Sequence, residues 1–513
     1  MITSFEKTLG ELFISRHGLE GHTRGQVRND SRKVLPGDIF VAIPGAVYDG
    51  HDFITKAAAA GAQVIVHERE LTDYLEKPTY IRVTDSSRAY ARLVREFCDC
   101  PDEYVKLIGV TGTNGKTTTA FLVEHIFRNA GEPCGLVSTV EYRDGKITAP
   151  ATHTTPEAGI LFPLLATMRR NGMRAAAMEL SSHALQQGRI NGARFRTAIF
   201  TNLTGDHLDY HGDMEHYYQA KKLFFTRLLG LDGTAVINID DEFGKRLARD
   251  ISGRQQVTFG MTPAADWVIS DVELGAEGSK FRLTGEEQAF DVATNLIGTH
   301  NIHNLTGAIL AALDYGLKPE AISHALTRPI RVPGRLEPFR ASPEGPVFYV
   351  DYAHTDDALK NVLEILRRIT KGKLIAVFGA GGDRDRSKRP RMGKAAAQYA
   401  DHLILTSDNP RSEEPQKIID EIAAGIPAGT SFETEPDRAQ ALRRAVAVAR
   451  PGDVVLIAGK GHENYQEIQG VRRSLDDRKL IKIRPENSRN GTGPTFRGEM
   501  EASTWGNGEF HGS

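Results

Sequence analysis

The chain has 513 residues, 64 Lys and Arg against 66 Asp and Glu, and a formal net charge of -2 at pH 7. This length holds about three domains, each able to bury a core, and the charge balance excludes a global positive field that would retain a nucleic-acid backbone or an anionic membrane. Small-molecule partners are therefore expected, with no nucleic acid; the three cysteines, Cys98, Cys100 and Cys134, are too few for a disulfide framework or a zinc site and read as reduced thiols.

The N-terminus has no basic segment leading into an apolar one, and no apolar run approaches the ~18 residues of a membrane span, so a cytoplasmic protein without membrane insertion is expected. Within the first hundred residues, 37–45 is an apolar run between turn signals, 54–60 an Ala-rich helix candidate and 62–66 a second strand candidate. Together they predict a small α/β unit. Cys100-Pro101-Asp102 reads as a linker.

An apolar strand from Lys106 then runs into Val110-Thr111-Gly112-Thr113-Asn114-Gly115-Lys116-Thr117-Thr118-Thr119. Small residues let backbone N–H groups close around phosphate oxygens, Lys116 supplies a mobile cation and Thr117 a hydroxyl for Mg²⁺. Leu122/Ile126 and Val123/Phe127 at i,i+4 spacing predict a helix behind the loop, whose N-terminus favours anions. Val110 stands where the usual phosphate loop has its first Gly, with Gly109 one place earlier, which points away from GTPases and motor ATPases. Buried strands are predicted at 175–180, 198–203 and 234–239, in a mostly parallel sheet.

Turn residues Val332-Pro333-Gly334-Arg335 mark a second boundary before the pattern restarts at Val347. Three later apolar runs, 373–378, 402–406 and 453–458, empty into Gly379-Ala380-Gly381-Gly382-Asp383-Arg384, Ser407-Asp408-Asn409-Pro410-Arg411 and Gly459-Lys460-Gly461-His462-Glu463. Ligands of doubly wound sheets bind at the carboxyl ends of strands, so one shared crevice is predicted. Ordinary αβ turns need only Gly, Asn or Asp, whereas these also carry Arg384, Arg411 and Glu463. The segment 485–513, rich in Gly, Ser, Asn and Glu, reads as a disordered tail.

Other residues have the chemistry to join the phosphate loop. Glu179, at a strand end, is a candidate Mg²⁺ ligand. Asp206-His207-Leu208-Asp209-Tyr210-His211 packs acids and imidazoles behind another strand; alone such a cluster is more often a helix start than a metal site. Asn301 and Asn304 are spaced to face one side of a helix and read an adenine edge, although Asn at a helix start is usually a cap. Asp351, before Tyr352-Ala353-His354, has a carboxylate suited to ribose hydroxyls or to capping.

Taken in order over about residues 30–477, these motifs resemble those of the Mur ligases, ATP-dependent amide-forming enzymes of peptidoglycan precursor synthesis. Asp30-Ser31-Arg32, Thr154-Thr155-Pro156-Glu157, 181–189 and above all Asp408-Asn409-Pro410-Arg411 are similar to the tripeptide-synthetase branch. The resemblance implies an α/β protein of three domains: a small UDP-sugar-binding unit (1–103), a central ATP-binding unit with a phosphate-loop, mostly parallel sheet (104–336) and a Rossmann-like amino-acid-binding unit (337–484). It implies that Gly112, Thr113, Asn114, Gly115, Lys116, Thr117, Thr118, Asn301, Asn304, Arg335, Asp351 and His354 bind ATP. Asn29, Ser31, Ala46, Val47 and Tyr48 would hold the UDP-sugar, and Thr154, Thr155, Ser181, Gln187 and Arg189 the dipeptide arm. Thr117, Glu179, His207 and Lys221 would hold Mg²⁺, Lys221 as a carbamate formed with CO₂; composition alone makes Lys221 and Lys222 a solvated helix face. Lys116, His207 and Lys221 are the implied catalytic residues.

The resemblance further implies that Arg384, Asp408, Asn409, Pro410, Arg411, Gly459 and Glu463 bind meso-diaminopimelate, because the Asp-Asn-Pro-Arg tetrad marks members that add it. A planar guanidinium suits the extra carboxylate of that amino acid, and L-lysine would leave a buried Arg unpaired. The implied reaction joins meso-diaminopimelate to the D-glutamate carboxylate of UDP-N-acetylmuramoyl-L-alanyl-D-glutamate through an acyl phosphate, on a monomer. A lysine-adding relative, folylpolyglutamate synthetase and an inactive nucleotide-binding scaffold are the alternatives. Departures from the family pattern are His153 for Asn, Asp356 for Pro, Ala380 for a Cys-like residue, and the expected loss past Asp477 of the helix that closes the last domain.

Overall fold

The computed structural model describes residues 4–18, 25–45, 48–286, 288–340 and 344–482. Ala46, Val47 and the 485–513 tail lie outside them. Three α/β units follow one another, each built on its own sheet.

The first sheet has the spatial order Phe13–His17, Thr79–Val83, Val64–His67, Ile39–Val41, Val27–Arg28, antiparallel only at its first pair. Helix Ser86–Phe97 closes one face: Asp85 accepts the Arg88 N–H at 2.8 Å as its N-cap, while Ala89, Tyr90, Leu93 and Val94 point inward. That helix packs on helix Ala158–Arg170 of the next unit, and Leu93, Val94, Leu161 and Leu165 belong to one continuous apolar core. The 100–102 segment, expected as a linker, is consequently fastened down. Asp102 is buried, pairs with Arg95 at 2.9 Å and accepts the Arg194 N–H at 2.9 Å, so the first two units are bound together by apolar area and a shielded ion pair.

The central sheet has 11 strands. Its parallel middle runs Cys134–Val137, Ala175–Glu179, Lys106–Thr111, Phe195–Phe200, Leu229–Asn238, Gln256–Gly260, Trp267–Gly275. Antiparallel hairpins extend both edges, through Glu141–Arg143 and Thr148–Pro150 on one side and Gly278–Thr284 and Ala289–Thr294 on the other. Lys106–Thr111, the first strand of this sheet in chain order, lies between Ala175–Glu179 and Phe195–Phe200, with later parallel strands on both sides of it, so its carboxyl end opens at a topological switch point. Helix Lys116–Asn129 leaves from that point and is buried over most of its length, between the sheet and helix Thr299–Tyr315.

In the third sheet Val347–Asp351, Val454–Ala458, Leu374–Phe378, His402–Thr406 and Phe432–Glu435 are parallel, with Glu337–Arg340 antiparallel at the edge. Its two faces carry their own cores, separate from those of the central unit. Val332 packs in the central core and Leu336 in that of the third unit, leaving Pro333, Gly334 and Arg335 as the short connection between them. Leu336 is left-handed at φ 44° and donates its N–H to Asp351 Oδ2 at 2.7 Å.

One expectation is corrected here. A helix, Asp477–Lys482, does close the third unit, with Ile481 in the core. Arg438 and Asp477, both without exposed side-chain surface, pair at 2.7 Å. Arg438 also donates to the carbonyls of Ser407 and Ala458, tying this helix to the ends of two sheet strands.

Candidate active site

A cavity of ≈ 560 Å³ opens between the central and third units. Its floor is the phosphate loop. Gly115 precedes the helix at φ 87°, and a Cβ there would collide with the Asn304 amide; glycine is required both for the turn and for the approach of helix Thr299–Tyr315. Lys116 folds back so that Nζ donates to the carbonyls of Gly112 at 2.9 Å and Thr113 at 2.8 Å. Thr117 Oγ1 donates to Glu179 Oε2 at 2.9 Å. Thr139 places its N–H 2.7 Å from Glu179 Oε1 and its hydroxyl 3.1 Å from Oε2, which fixes the carboxylate. This threonine, at the end of the neighbouring strand Cys134–Val137, was not singled out from sequence.

A hydroxyl beside a fixed carboxylate suits Mg²⁺, which uses one or two protein oxygens, waters and substrate phosphates. Among the described residues no group of three His, Cys, Asp or Glu side chains forms a closed cage. Thr117 and Glu179 would supply the protein oxygens of such a site.

Lys221, predicted by composition to be a solvated face, is instead almost fully buried on helix Met214–Leu223. Its Nζ lies 2.8 Å from the Gly112 carbonyl and 4.5 Å from the centre of the Tyr217 ring. Burial first, and then the Lys116 ammonium, push its pKa well below the ordinary lysine value, against the pull of Asp206. His207 is left-handed at φ 55°, with Nε2 3.5 Å from Asp206 Oδ2. Burial lowers its pKa while Asp206 raises it. Around it the rings of His183, Tyr210, His211 and Tyr217 form a continuous group, His183 lying 4.9 Å from His207.

The dipeptide candidates gather at the same strand ends. Thr154 accepts the Thr139 hydroxyl at 3.1 Å, and the Thr155 hydroxyl links the Glu179 carbonyl at 2.8 Å to the Ser181 N–H at 2.9 Å. Gln187 bridges Arg189 at 2.8 Å and the Tyr210 hydroxyl at 3.1 Å. The Tyr142 hydroxyl meets the backbone of His153 at both its carbonyl, 2.6 Å, and its N–H, 3.1 Å, so the main chain at this departure is held independently of the side chain.

Across the cavity, Arg335 donates to Thr117 Oγ1 at 3.2 Å and stacks over Tyr352 at 4.7 Å. Asn301 donates to the Ile297 carbonyl at 2.9 Å and accepts from Asn304 at 3.3 Å; both amides line the cavity. Asp351 accepts the N–H groups of Leu336 at 2.7 Å and Ala353 at 2.8 Å, so one carboxylate oxygen braces the connection between the units and the other its own loop, and burial raises its pKa. His354 lines the wall with Nδ1 2.8 Å from the Tyr352 carbonyl. Asp356 opens helix Asp356–Ile369 behind the Thr355 cap. Pro and Asp both suit a first helical turn, the one by its fixed φ and the other by its charge.

The three loops of the third unit do converge, beside this cavity. Asp408 lies against Gly459, where a Cβ would strike its carboxylate. Asn409 donates to Glu463 Oε2 at 2.8 Å; Lys460, fully buried, donates to the same oxygen at 3.0 Å and to Asn409 Oδ1 at 3.1 Å. Arg411 is left-handed at φ 51°, and its guanidinium reaches the Gly382 carbonyl at 2.6 Å. The Pro410 carbonyl lies against Gly382 in a contact only glycine permits, and Arg384 extends from the same loop, donating to the Asp383 carbonyl at 3.1 Å. The Arg411 guanidinium and the Arg384 side chain thus both lie against Gly381, and Asn409 ties the Arg411 loop to the Glu463 carboxylate. Lys460 sits inside a motif read from sequence, but its role as an internal counter-charge depends on burial that the motif does not show. At the first unit, Asp30 caps the turn Ser31–Lys33 and pairs with Arg32 at 2.9 Å, beside Asn29 and Ser31, and Tyr48 is 75% exposed.

Comparison with known proteins assigns all three units. Residues 25–97 match the family model "Mur ligase family, catalytic domain", 110–312 the "Mur ligase middle domain" and 334–461 the "Mur ligase, glutamate ligase domain". The chain is 43% identical over 459 residues to the UDP-N-acetylmuramoyl-L-alanyl-D-glutamate–2,6-diaminopimelate ligase of Solibacter usitatus, spanning 88% of this chain and 92% of that protein. It is 43% identical over 464 residues to the ligase of the same name from Synechococcus elongatus, spanning 89% and 93%. A solved structure of a ligase of that name superposes with a TM-score of 0.68 at 34% identity, covering 94% of this chain and 98% of the other. With every unit matched, the chain belongs to the Mur ligase family of ATP- and Mg²⁺-dependent amide-forming ligases.

Proposed function

We propose that the protein joins meso-diaminopimelate to the D-glutamate side-chain carboxylate of UDP-N-acetylmuramoyl-L-alanyl-D-glutamate, acting as a monomer in the cytoplasm, where ATP and nucleotide sugars are made. The observation that carries this reading is the convergence of the loops bearing Arg384, Arg411, Asn409 and Glu463, joined by the Arg411 to Gly382 and Asn409 to Glu463 hydrogen bonds. A distal amino-acid head has a carboxylate for the arginines and an ammonium for Glu463, and lysine has no such carboxylate. The diaminopimelate-adding relatives support the same reading.

The cavity holds ATP over the phosphate loop, with Lys116 turning from the Gly112 and Thr113 carbonyls to the phosphate oxygens. Asn301 and Asn304 flank the base, and Arg335, Asp351 and His354 close the site from the third unit. Bound Mg²⁺ neutralises charge on the transferring phosphoryl group; Thr117 and Glu179 would hold one ion, and His207 with a carbamate on Lys221 a second. The depressed pKa of Lys221 supports the carbamate, because only a neutral amine adds CO₂. Thr154, Thr155, Ser181, Gln187 and Arg189 orient the dipeptide carboxylate toward the γ-phosphate, with the uridine end at Asn29, Ser31, 46–47 and Tyr48. The resulting acyl phosphate is attacked by the diaminopimelate amine, and phosphate leaves as the amide forms.

Acyl phosphates hydrolyse, so water has to be excluded before phosphoryl transfer. The 333–335 connection, with a domain division at 336/337, permits the third unit to close, whereas a division at 103/104 joins units already packed together. Replacing Lys116 with Ala tests the phosphoryl step: UDP-substrate binding is expected to persist while ADP formation is lost, and normal turnover would overturn the reading.

A further inference from the structure

Behind the two arginine loops lies a charge cluster, built on the buried Arg389 and the half-buried Glu413 and Glu421, that the reaction itself does not use. Asp383 and Arg411 are left-handed non-glycine residues, at φ 54° and 51°, in adjacent loops. Such conformations persist only where surrounding contacts over-determine them. Here the loops are cross-linked: Asp383 accepts the Ser412 hydroxyl at 2.5 Å and its N–H at 3.2 Å, Gly382 donates to the Asn409 carbonyl at 2.9 Å, and Arg411 donates to the Gly382 carbonyl at 2.6 Å.

One carboxylate secures this arrangement from behind. Glu413 Oε1 accepts the Asp383 N–H at 2.6 Å, and both its oxygens are gripped by Arg389, at 2.7 and 2.9 Å. Arg389 has no exposed side-chain surface; it also reaches Glu421 at 2.7 Å and the Gly381 carbonyl at 3.3 Å. On the other side the strand Tyr465–Ile468 and Gln469 clamp the Arg411 backbone, through Arg411 N–H to the Glu467 carbonyl at 3.0 Å and Gln469 N–H to the Arg411 carbonyl at 2.7 Å. Glu413 and Arg389 thus fix the loops from which Arg384 and Arg411 extend.

We infer that Glu413, held by Arg389, is a positioning residue that sets the spacing of the Arg384 and Arg411 guanidinium groups and thereby the preference for an amino acid with a distal carboxylate. The inference rests on the proposed diaminopimelate reading. A bidentate grip needs both guanidinium planes in place, and a displacement of an ångström weakens it without touching the nucleotide site.

Steady-state kinetics of Glu413→Gln and Ser412→Ala, with meso-diaminopimelate or L-lysine as acceptor, test it. Glu413→Gln removes one of the two carboxylate charges that hold Arg389; Ser412→Ala, at an exposed position, removes the hydroxyl cross-link to Asp383, leaving the N–H bond, and carries the test if the first variant fails to fold. The KM for meso-diaminopimelate is expected to rise about tenfold or more, with KM values for ATP and the UDP-substrate within about twofold of the parent. The kcat/KM preference for meso-diaminopimelate over lysine is expected to shrink, and Glu413→Asp to restore part of it. Equal losses toward all three substrates, or unchanged selectivity in a parent enzyme that prefers meso-diaminopimelate, overturn the positioning role alone. A parent enzyme that does not use meso-diaminopimelate overturns the functional reading and the inference with it.

Discussion

Lys116 and Lys221 direct their amino groups at the same acceptor, the carbonyl oxygen of Gly112, at 2.9 and 2.8 Å. Two ammonium ions around one carbonyl repel each other, and the more deeply buried lysine has the stronger drive to lose its proton. Lys221 is that residue. Its neutral amine is the form that reacts with CO₂, and the product is a carboxylate that removes the like-charge conflict.

Activity is accordingly expected to fall when the enzyme is freed of CO₂ and to return when bicarbonate is added. Lys221→Arg, which retains a cation and cannot form the carbamate, should be inactive at every bicarbonate concentration. ¹³C NMR of the parent enzyme with labelled bicarbonate should show a carbamate carbon that the variant lacks; equal activity with and without CO₂ contradicts the assignment.

Arg411→Ala removes one of the two proposed partners of the distal carboxylate. Hydrogen bonds to charged groups contribute about 1.5–3 kcal/mol each, so loss of two parallel bonds lowers kcat/KM for meso-diaminopimelate by roughly 10²–10⁴-fold. ATP binding, measured by calorimetry without the amino acid, should be unchanged.

The pair of Arg438 and Asp477 is sealed from solvent and holds the final helix. Breaking one side of such a pair leaves an uncompensated charge and costs about 3–5 kcal/mol, whereas replacing both sides by apolar residues costs much less. Urea unfolding should therefore show a large loss for Asp477→Ala and a smaller one for Arg438→Met with Asp477→Leu.

The Arg389 cluster predicts an acid limb of stability. Hydrogen bonds from Arg389, more than any other cause, hold the Glu413 carboxyl at about 2, and Glu421 is also lowered, first by Arg386 and also by Arg389. A carboxyl whose folded pKa lies below its unfolded value, about 4.3, contributes stability above that value and loses it as pH falls toward the folded pKa. Melting temperature should fall across this window in the parent protein. Arg389→Met should be less stable at neutral pH and show a flatter decline.

Where an apolar strand emptied into a loop of distinctive chemistry, the sequence was readable. The strand Lys106–Thr111 with its phosphate loop, and the strands before Gly379, Ser407 and Gly459, lie within a residue or two of where their composition places them. Burial was not readable in the same way. The pair Lys221-Lys222 looks solvated, and only the packing of helix Met214–Leu223 onto the Gly112 turn encloses Lys221 and leaves Lys222 to pair with Asp250 at 2.7 Å. The hairpin strands Gly278–Thr284 and Ala289–Thr294 contain no apolar run; Phe281, Leu283, Phe290 and Val292 point inward singly while charged neighbours point out, so only their alternation marks them as strands. The closing helix Asp477–Lys482 is too short for periodicity to show. Its anchor, Arg438, is 39 residues away, as the partner that turns Asp351 into a brace between the units is 15 residues away at Leu336.

The most direct test is ADP release from the purified chain with UDP-N-acetylmuramoyl-L-alanyl-D-glutamate, ATP and Mg²⁺, comparing meso-diaminopimelate, L-lysine and no amino acid. Sustained release with meso-diaminopimelate alone is the predicted result. Equal or faster release with lysine would contradict the account of Arg384 and Arg411, and silence with both amino acids would contradict the proposed reaction.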